Sequence, residues 1–269
     1  MAGHLDELRR AYEGLEVTFA DRDARDRYRA SALVKTAEQA DFIAARLESA
    51  SVLEVGCGNG RLLIELARRG RIAGGVGIDL AQSRIEFARE WARDLGLGAL
   101  RFEVADALAY PVARGEYGAI ACITGAFAYF EAVRARAGEQ LAARWARALV
   151  PHGLLVLELY PHPELTPLIE AARGSLRLWR ELPPEDPWRF YLSDLRIEAG
   201  ILIHDKTFVH RTSGQVDAGR RERIRLYTAT EISDLLACAG FADVELHEGW
   251  TEHPYEHGES MVVTARRAG

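Results

Sequence analysis

Cysteine is scarce: Cys57, Cys122 and Cys238 stand far apart in 269 residues and form no CxxC pair. That spacing excludes a disulfide framework and the usual structural zinc site, and it points to a reducing, cytoplasmic setting. Long apolar runs are missing as well. None approaches the roughly 20 residues that cross a bilayer, so no membrane partner is expected. The N-terminal MAGHLDELRRAYEGLE places charges where a signal peptide carries its apolar centre. No stretch is uniformly basic, and 34 Lys and Arg against 40 Asp and Glu leave a net charge of −6. That balance disfavours a protein held to nucleic acid by bulk charge. Internal repeats and low-complexity segments are absent too. What is present is a chain 48% hydrophobic and 28% charged. It can bury a core under a solvated surface, and its length suits one large domain or a domain with a sizeable insertion.

Residues 4–48 read as helix, with apolar Leu33, Val34, Ala37, Phe42, Ile43 and Leu47 set against charged positions. The mixed-sign run DRDARDRYR, Asp21 to Arg29, reads as a solvated face. SVLEV, Ser51 to Val55, is then a short buried strand ending in glycines, followed by the helical RLLIELARR. From there strands and helices alternate. GVGID, LRFEVAD, YGAIACIT and GLLVLELY read as strands, with helices over AQSRIEFAREWARDLG and about 137–149. Such alternation implies βαβ units and a parallel sheet. After Tyr160 it breaks. A short helix in PHPELTPLIEAARG precedes four β-like segments, SLRLWREL, WRFYLSDLRIEAG, ILIHDKTFVHR and GRRERIRLYT. Turn residues Pro183-Pro184, Ala199-Gly200 and Ser213-Gly214 with Gly219 separate them, as in an antiparallel meander. The α/β rhythm resumes with TEISDLLACAG, FADVELHEGW and SMVVTARR. Residues 161–228 therefore read as an insertion within one Rossmann-like domain.

The sharpest motif is VLEVGCGNGRL, Val52 to Leu62. Gly56, Gly58 and Gly60 let the backbone turn tightly and approach a ligand, and the next helix presents its N-terminal amides there. Asp79 ends the second strand, where a carboxylate can accept from two ribose hydroxyls. Asp106 ends the third and suits a purine amine. A dinucleotide enzyme also uses glycines and a following acid. Here, however, GxGxG replaces GxGxxG, and the charge of Glu54 is misplaced beside a pyrophosphate but suits an amino group and a sulfonium.

These residues resemble the class I S-adenosylmethionine-dependent methyltransferases. E-x-G-x-G-x-G at Glu54 to Gly60, VGIDLA around Asp79 and VADAL around Asp106 carry the resemblance, which covers about 50–160 and 229–267. It implies S-adenosylmethionine as cofactor and an α/β, Rossmann-like methyltransferase fold. That fold has a mostly parallel seven-stranded sheet with helices on both faces, here with the meander inserted. The expected division is 1–50 as a helical lid, 51–160 with 229–269 as the cofactor domain, and 161–228 as the acceptor cover. Gly56 and Gly58 would lie against methionine and ribose, Asp79 would hold the ribose hydroxyls, and Leu80 would pack on adenine. Asp106 and the Ala107 amide would read the adenine edge, while Ile123 and Thr124 would face the methionyl group. Tyr28 and Lys35 would close over the cofactor carboxylate.

The acceptor is less legible. CITGAFAYF, Cys122 to Phe130, lacks the acid and paired prolines with which nucleobase-amine methyltransferases grip a flipped base. It resembles instead the segment of small-molecule enzymes, with Tyr129 a wall of the pocket or a core residue. Ligands bind beyond the carboxyl ends of strands in such sheets, which singles out Glu158, Tyr160 and His162 as catalytic candidates. His162 leads as a general base, because an imidazole suits proton transfer near neutrality. The loop after FADVELHEGW adds His253 and Tyr255. His253 and His257 have the spacing of a metal pair but no third ligand, so no metal is expected. In the insertion, Trp179, Tyr191, His204 and Arg221 are candidates for the pocket. The plainer readings are packing for the aromatics and a charged, protective strand edge for the arginines. The expected activity is methyl transfer to an O, N or C atom of a small molecule. Protein or RNA methylation and cofactor binding without transfer are the alternatives, and the meander edge offers a surface for a homodimer.

Overall fold

A computed structural model describes residues 2–14, 19, 21–47, 51–160, 162–258 and 260–269, with the backbone alone for 2 and 162–164. The first sheet orders its strands β10-β11-β5-β4-β1-β2-β3. These are β1 (Ser51–Val55), β2 (Gly74–Asp79), β3 (Leu100–Val104), β4 (Tyr117–Cys122), β5 (Leu149–Leu159), β10 (Phe241–Glu248) and β11 (Met261–Arg267). β1 to β5 pair in parallel, whereas β11 runs antiparallel to both β5 and β10. The central strands are apolar on both faces because helices cover both sides. Four residues of β1 are buried. One face packs against α3 (Arg61–Arg68) and α4 (Gln82–Asp94), and the other against α5 (Phe127–Val133), α6 (Ala137–Ala148) and α8 (Ala229–Ala239). Chain order reverses between β1 and β4, and this switch point opens a crevice at the strands' carboxyl ends.

After α7 (His162–Ala171) the insertion forms a separate antiparallel sheet, β6-β7-β8-β9. Its strands are β6 (Leu176–Glu181), β7 (Trp188–Glu198), β8 (Ile201–His210) and β9 (Val216–Arg225). Two expectations need correction. Gly219 does not end a turn: β9 already starts at Val216 and carries Gly219 through a register shift opposite Lys206 and Phe208. Residues 127–133 form a helix that the apolar run CITGAFAYF did not disclose, since a short buried helix shows no amphipathic period.

Two helices precede β1: α1 (Ala2–Tyr12) and α2 (Arg22–Ala44). Asp21 caps α2, accepting from the Ala24 amide at 2.7 Å. The charged run after it is not simply solvated. Arg29 is buried, bonds Asp94 at 2.8 Å and lies over the Phe87 ring, so it ties α2 to α4. α1 packs on β9. Arg223 bonds Glu7 at 2.9 Å, and Arg220 donates to the carbonyls of Arg10 and Glu13 at 2.9 and 2.7 Å. Glu13 in turn accepts from the amides of Gln82 and Ser83 at the start of α4.

Candidate active site

The glycine loop leaves β1 and folds back on β2. The amides of Gly56 and Cys57 donate to the Ile78 carbonyl at 2.8 and 3.0 Å. Asp79, ending β2, braces the same loop. Its two oxygens accept from the Gly58 amide at 2.8 Å and the Ala81 amide at 2.9 Å. Asp106 accepts from the Leu108 amide at 2.9 Å, which shapes the loop after β3. Together these turns line a cleft with about 1000 Å³ of empty space, its open mouth included. Glu54, Gly56, Gly58, Asp79, Leu80, Asp106, Ala107, Ile123, Thr124 and Tyr129 all contribute to its lining. α1 covers it with Leu5, Leu8, Arg9 and Tyr12.

The glycines do more than admit a ligand. Gly56 has φ +71°, and a Cβ there would stand 2.8 Å from the Ala126 Cβ. Gly60, at φ +75°, caps α3 and backs onto the Phe102 ring, where a Cβ would come within 2.6 Å. Gly60 does not line the cleft; it fixes helix against sheet.

Glu54 is a strongly perturbed carboxyl group on the cleft wall. It is 2% exposed, and burial raises its pKa to about 8 against the pull of Arg61 and Arg84. Its Oε2 has no hydrogen-bond partner. A buried carboxylate oxygen left open on a cleft wall fits a cationic ligand group. Arg61, which sequence reasoning missed, provides the opposite charge. It donates to Thr36 and Gln39 of α2 at 2.7 Å each and reaches Thr124 at 3.4 Å. Burial lowers its pKa despite Glu54 and Glu158 nearby. Its place as the first residue of α3 was the available signal. Thr36 and Gln39, rather than Lys35, are the α2 residues that serve the cleft, since Lys35 is exposed. Tyr28 stands one contact back, accepting from Asn59 at 3.2 Å.

Several other candidates fall outside the cleft. Glu158 accepts from the Thr124 amide at 2.7 Å and the Trp250 indole at 3.0 Å. With both bonds made it holds Thr124 at φ +58° and ties that turn to Trp250. Tyr160 packs its ring over Gly125, and burial raises its pKa well above the ordinary phenol range. The His162 side chain lies outside the described residues. Trp179 is 68% exposed and meets Phe190 edge to face, on the face of the meander opposite Tyr191. Arg221 is paired with Asp205 at 2.6 Å, so it is no free anion hook. His253 is exposed, Tyr255 packs against the core, and neither lines the cleft. Among the described residues no group of three or more His, Cys, Asp or Glu side chains is placed to hold a metal.

Tyr191 and His204 do face inward, toward α1. There Tyr12 joins the cleft lining to the inner face of the meander. Its hydroxyl lies 2.6 Å from that of Tyr129, and Arg84 and Lys206 stand 5.2 and 4.8 Å from its ring centre.

A switch-point crevice with a glycine turn and an acid at each of the first three strand ends defines a class I methyltransferase site. Comparison with known proteins agrees. Residues 52–153 match the model of a methyltransferase domain. The chain therefore carries such a domain and is an S-adenosylmethionine-dependent methyltransferase. The CcbJ methyltransferase of Streptomyces caelestis is similar at 17% identity and a TM-score of 0.75, covering 98% of this chain and 100% of its own. An amino pentose methyltransferase of Micromonospora echinaspora, solved with S-adenosylmethionine bound, shows 20% identity and a TM-score of 0.67 over 93% and 98%. A sugar N-methyltransferase of a Streptoalloteichus species shows 19% identity and a TM-score of 0.65 over 87% and 88%. At these identities the likeness extends to the fold.

Proposed function

We propose that this enzyme methylates an amine nitrogen of a small molecule. The observation that carries the size of the acceptor is the enclosure of the cleft. α1 lies over it and is pinned to β9 and α4 by Arg223–Glu7, Arg220 and Glu13. A macromolecule would need an open groove. The β9 arginines are neutralised within the chain by Asp205, Glu7 and Glu231, which leaves no basic surface for RNA there. The amine is favoured because two structurally similar proteins are an amino pentose methyltransferase and a sugar N-methyltransferase.

Bound S-adenosylmethionine supplies an activated methyl group for in-line displacement. Glu54 pairs with its ammonium and Arg61 with its carboxylate. Asp79 holds the ribose hydroxyls, Leu80 packs on the purine, and Asp106 with the Ala107 amide reads its edge. Residues 51–160 with 229–269 form the cofactor unit, 161–228 the acceptor cover and 1–50 the lid. Tyr12 and Tyr129 form the wall against which the acceptor lies. Such positioning can lower a barrier by roughly 7–11 kcal/mol. Three free cysteines, two of them buried, fit a cytoplasmic setting. The unpaired edge of β6 is where two copies would join into a homodimer, which light scattering tests.

The deciding experiment incubates the protein with methyl-labelled S-adenosylmethionine and a panel of amino sugars, their hydroxyl counterparts, RNA and protein. Label on the amines alone supports the reading. Label on RNA or protein overturns the small acceptor, and label on the hydroxyl compounds overturns the amine.

A further inference from the structure

The inner face of the second sheet carries charge that neither packing nor the cofactor groups require. The Glu222 side chain on β9 is 1% exposed and faces His204 and Lys206 of β8. His204 Nδ1 stands 3.3 Å from the carboxylate. On the other side of the ring, Nε2 lies 2.9 Å from the Tyr191 hydroxyl and 3.0 Å from that of Ser193, both on β7. Register explains the convergence. His204 is directly opposite Glu222, while Tyr191 and Ser193 pair with Phe208 and Lys206, so all share one face. From outside the sheet, Tyr12 of α1 comes close to Glu222 and Lys206. This buried carboxylate thus lies close to Tyr12, a residue of the cleft lining. Replacing a buried ion pair by apolar residues is often neutral or stabilising. A surface that only had to pack α1 had no need of this one.

We propose that Tyr191, His204 and Glu222 form a proton-accepting triad in the acceptor subsite, which takes the proton an amine must lose before it can attack a methyl group. The triad rests on the amine reading above. Glu222 remains ionised: burial alone would raise its pKa, but Lys206 and His204 hold it at about 2. An ionised Glu222 accepts the Nδ1–H of His204, which leaves Nε2 as the acceptor toward Tyr191. An ammonium beside Tyr191 then gives one proton to the phenolic oxygen as the phenolic proton passes to Nε2. The nitrogen keeps its lone pair, and the positive charge rests as an imidazolium against Glu222. Tyr191 is a conduit and never an anion, since burial pushes its pKa up to about 12. Two cations oppose the extra charge, Lys206 beside Glu222 and Arg180 of β6, 5.2 Å from the Tyr191 ring centre. Arg84 of α4 adds a weaker opposition through Lys206. The carboxylate is in direct contact with the imidazole and prevails. Tyr191 is the catalytic residue of the three, and His204 and Glu222 act through it.

The test uses the full chain, methyl-labelled S-adenosylmethionine and the amino-sugar panel between about pH 6 and pH 10. Calorimetry of S-adenosylhomocysteine binding reports separately on the cofactor site. His204→Gln and Tyr191→Phe should lower kcat/KM by roughly ten- to a hundredfold at pH 7. They should regain it as the pH passes the amine's own pKa, where the nucleophile arrives neutral. Binding of S-adenosylhomocysteine should not change. A purely structural role would lower activity equally at every pH. A His204→Gln protein with the wild-type pH profile overturns the triad and leaves the amine reading intact. A wild-type protein that binds S-adenosylhomocysteine but methylates none of the amines overturns both.

Discussion

Replacing Glu54 by Gln tests the cofactor site through a proton count. In the free protein Glu54 has a pKa of about 8, raised by burial from the usual 4.5. The gap is worth roughly 5 kcal/mol between protonated and ionised forms. Because the folded pKa lies above the unfolded one, the associated stability is fully present below about pH 4.5. It is lost as the pH rises through 8, where the ionised group is held at its greatest cost. At pH 7 the free protein therefore carries Glu54 mostly protonated. An ammonium placed against the carboxylate reverses that preference, so cofactor binding at pH 7 should release close to one proton. Calorimetry of S-adenosylmethionine binding, repeated in buffers of different ionisation enthalpy, measures the number directly. Glu54→Gln should abolish the release. It should also raise alkaline stability and weaken binding at pH 9 by about 1–3 kcal/mol. Proton release unchanged in the Gln variant would refute the assignment of Glu54 to the ammonium.

Asp79→Asn should weaken S-adenosylhomocysteine binding by about 1–3 kcal/mol; wild-type affinity by calorimetry would remove Asp79 from the ribose. Arg61→Gln should weaken binding of S-adenosylhomocysteine but spare 5′-methylthioadenosine, which lacks the amino-acid portion. Equal losses for both ligands would mean that Arg61 supports the loop instead of the carboxylate. Gly60→Ala sets a Cβ 2.6 Å from Phe102 in a left-handed backbone and should cost about 1–3 kcal/mol, seen as a Tm several degrees lower. An unchanged Tm would show that the helix–sheet contact relaxes freely.

By itself the sequence determined what depends on neighbours along the chain. Hydrophobic period separated strands from helices and located the break after Tyr160. The turn chemistry around Pro183-Pro184 and Ala199-Gly200 marked the meander. Glu54, Asp79 and Asp106 were legible because each lies at or just beyond the end of a strand, at a spacing that parallel βα units turn into one crevice. Tertiary structure decided what depends on residues far apart in sequence. Glu158 has the residue type of a base, yet its oxygens are occupied by Thr124 and Trp250, the latter 92 positions away. Trp179 and Tyr191 are both aromatic, but strand pairing sends them to opposite faces of the meander. The β9 arginines left a pocket role and a protective edge both open until α1 supplied Glu7 to Arg223 from more than 210 residues upstream. Glu222 was hidden in the same way. A lone acid within GRRERIRLYT has no marked meaning until register sets it against His204 and Lys206 and α1 seals it from water. Lys206 and His204 then hold it ionised against the effect of burial, and both contacts belong to the assembled chain, not to its local sequence.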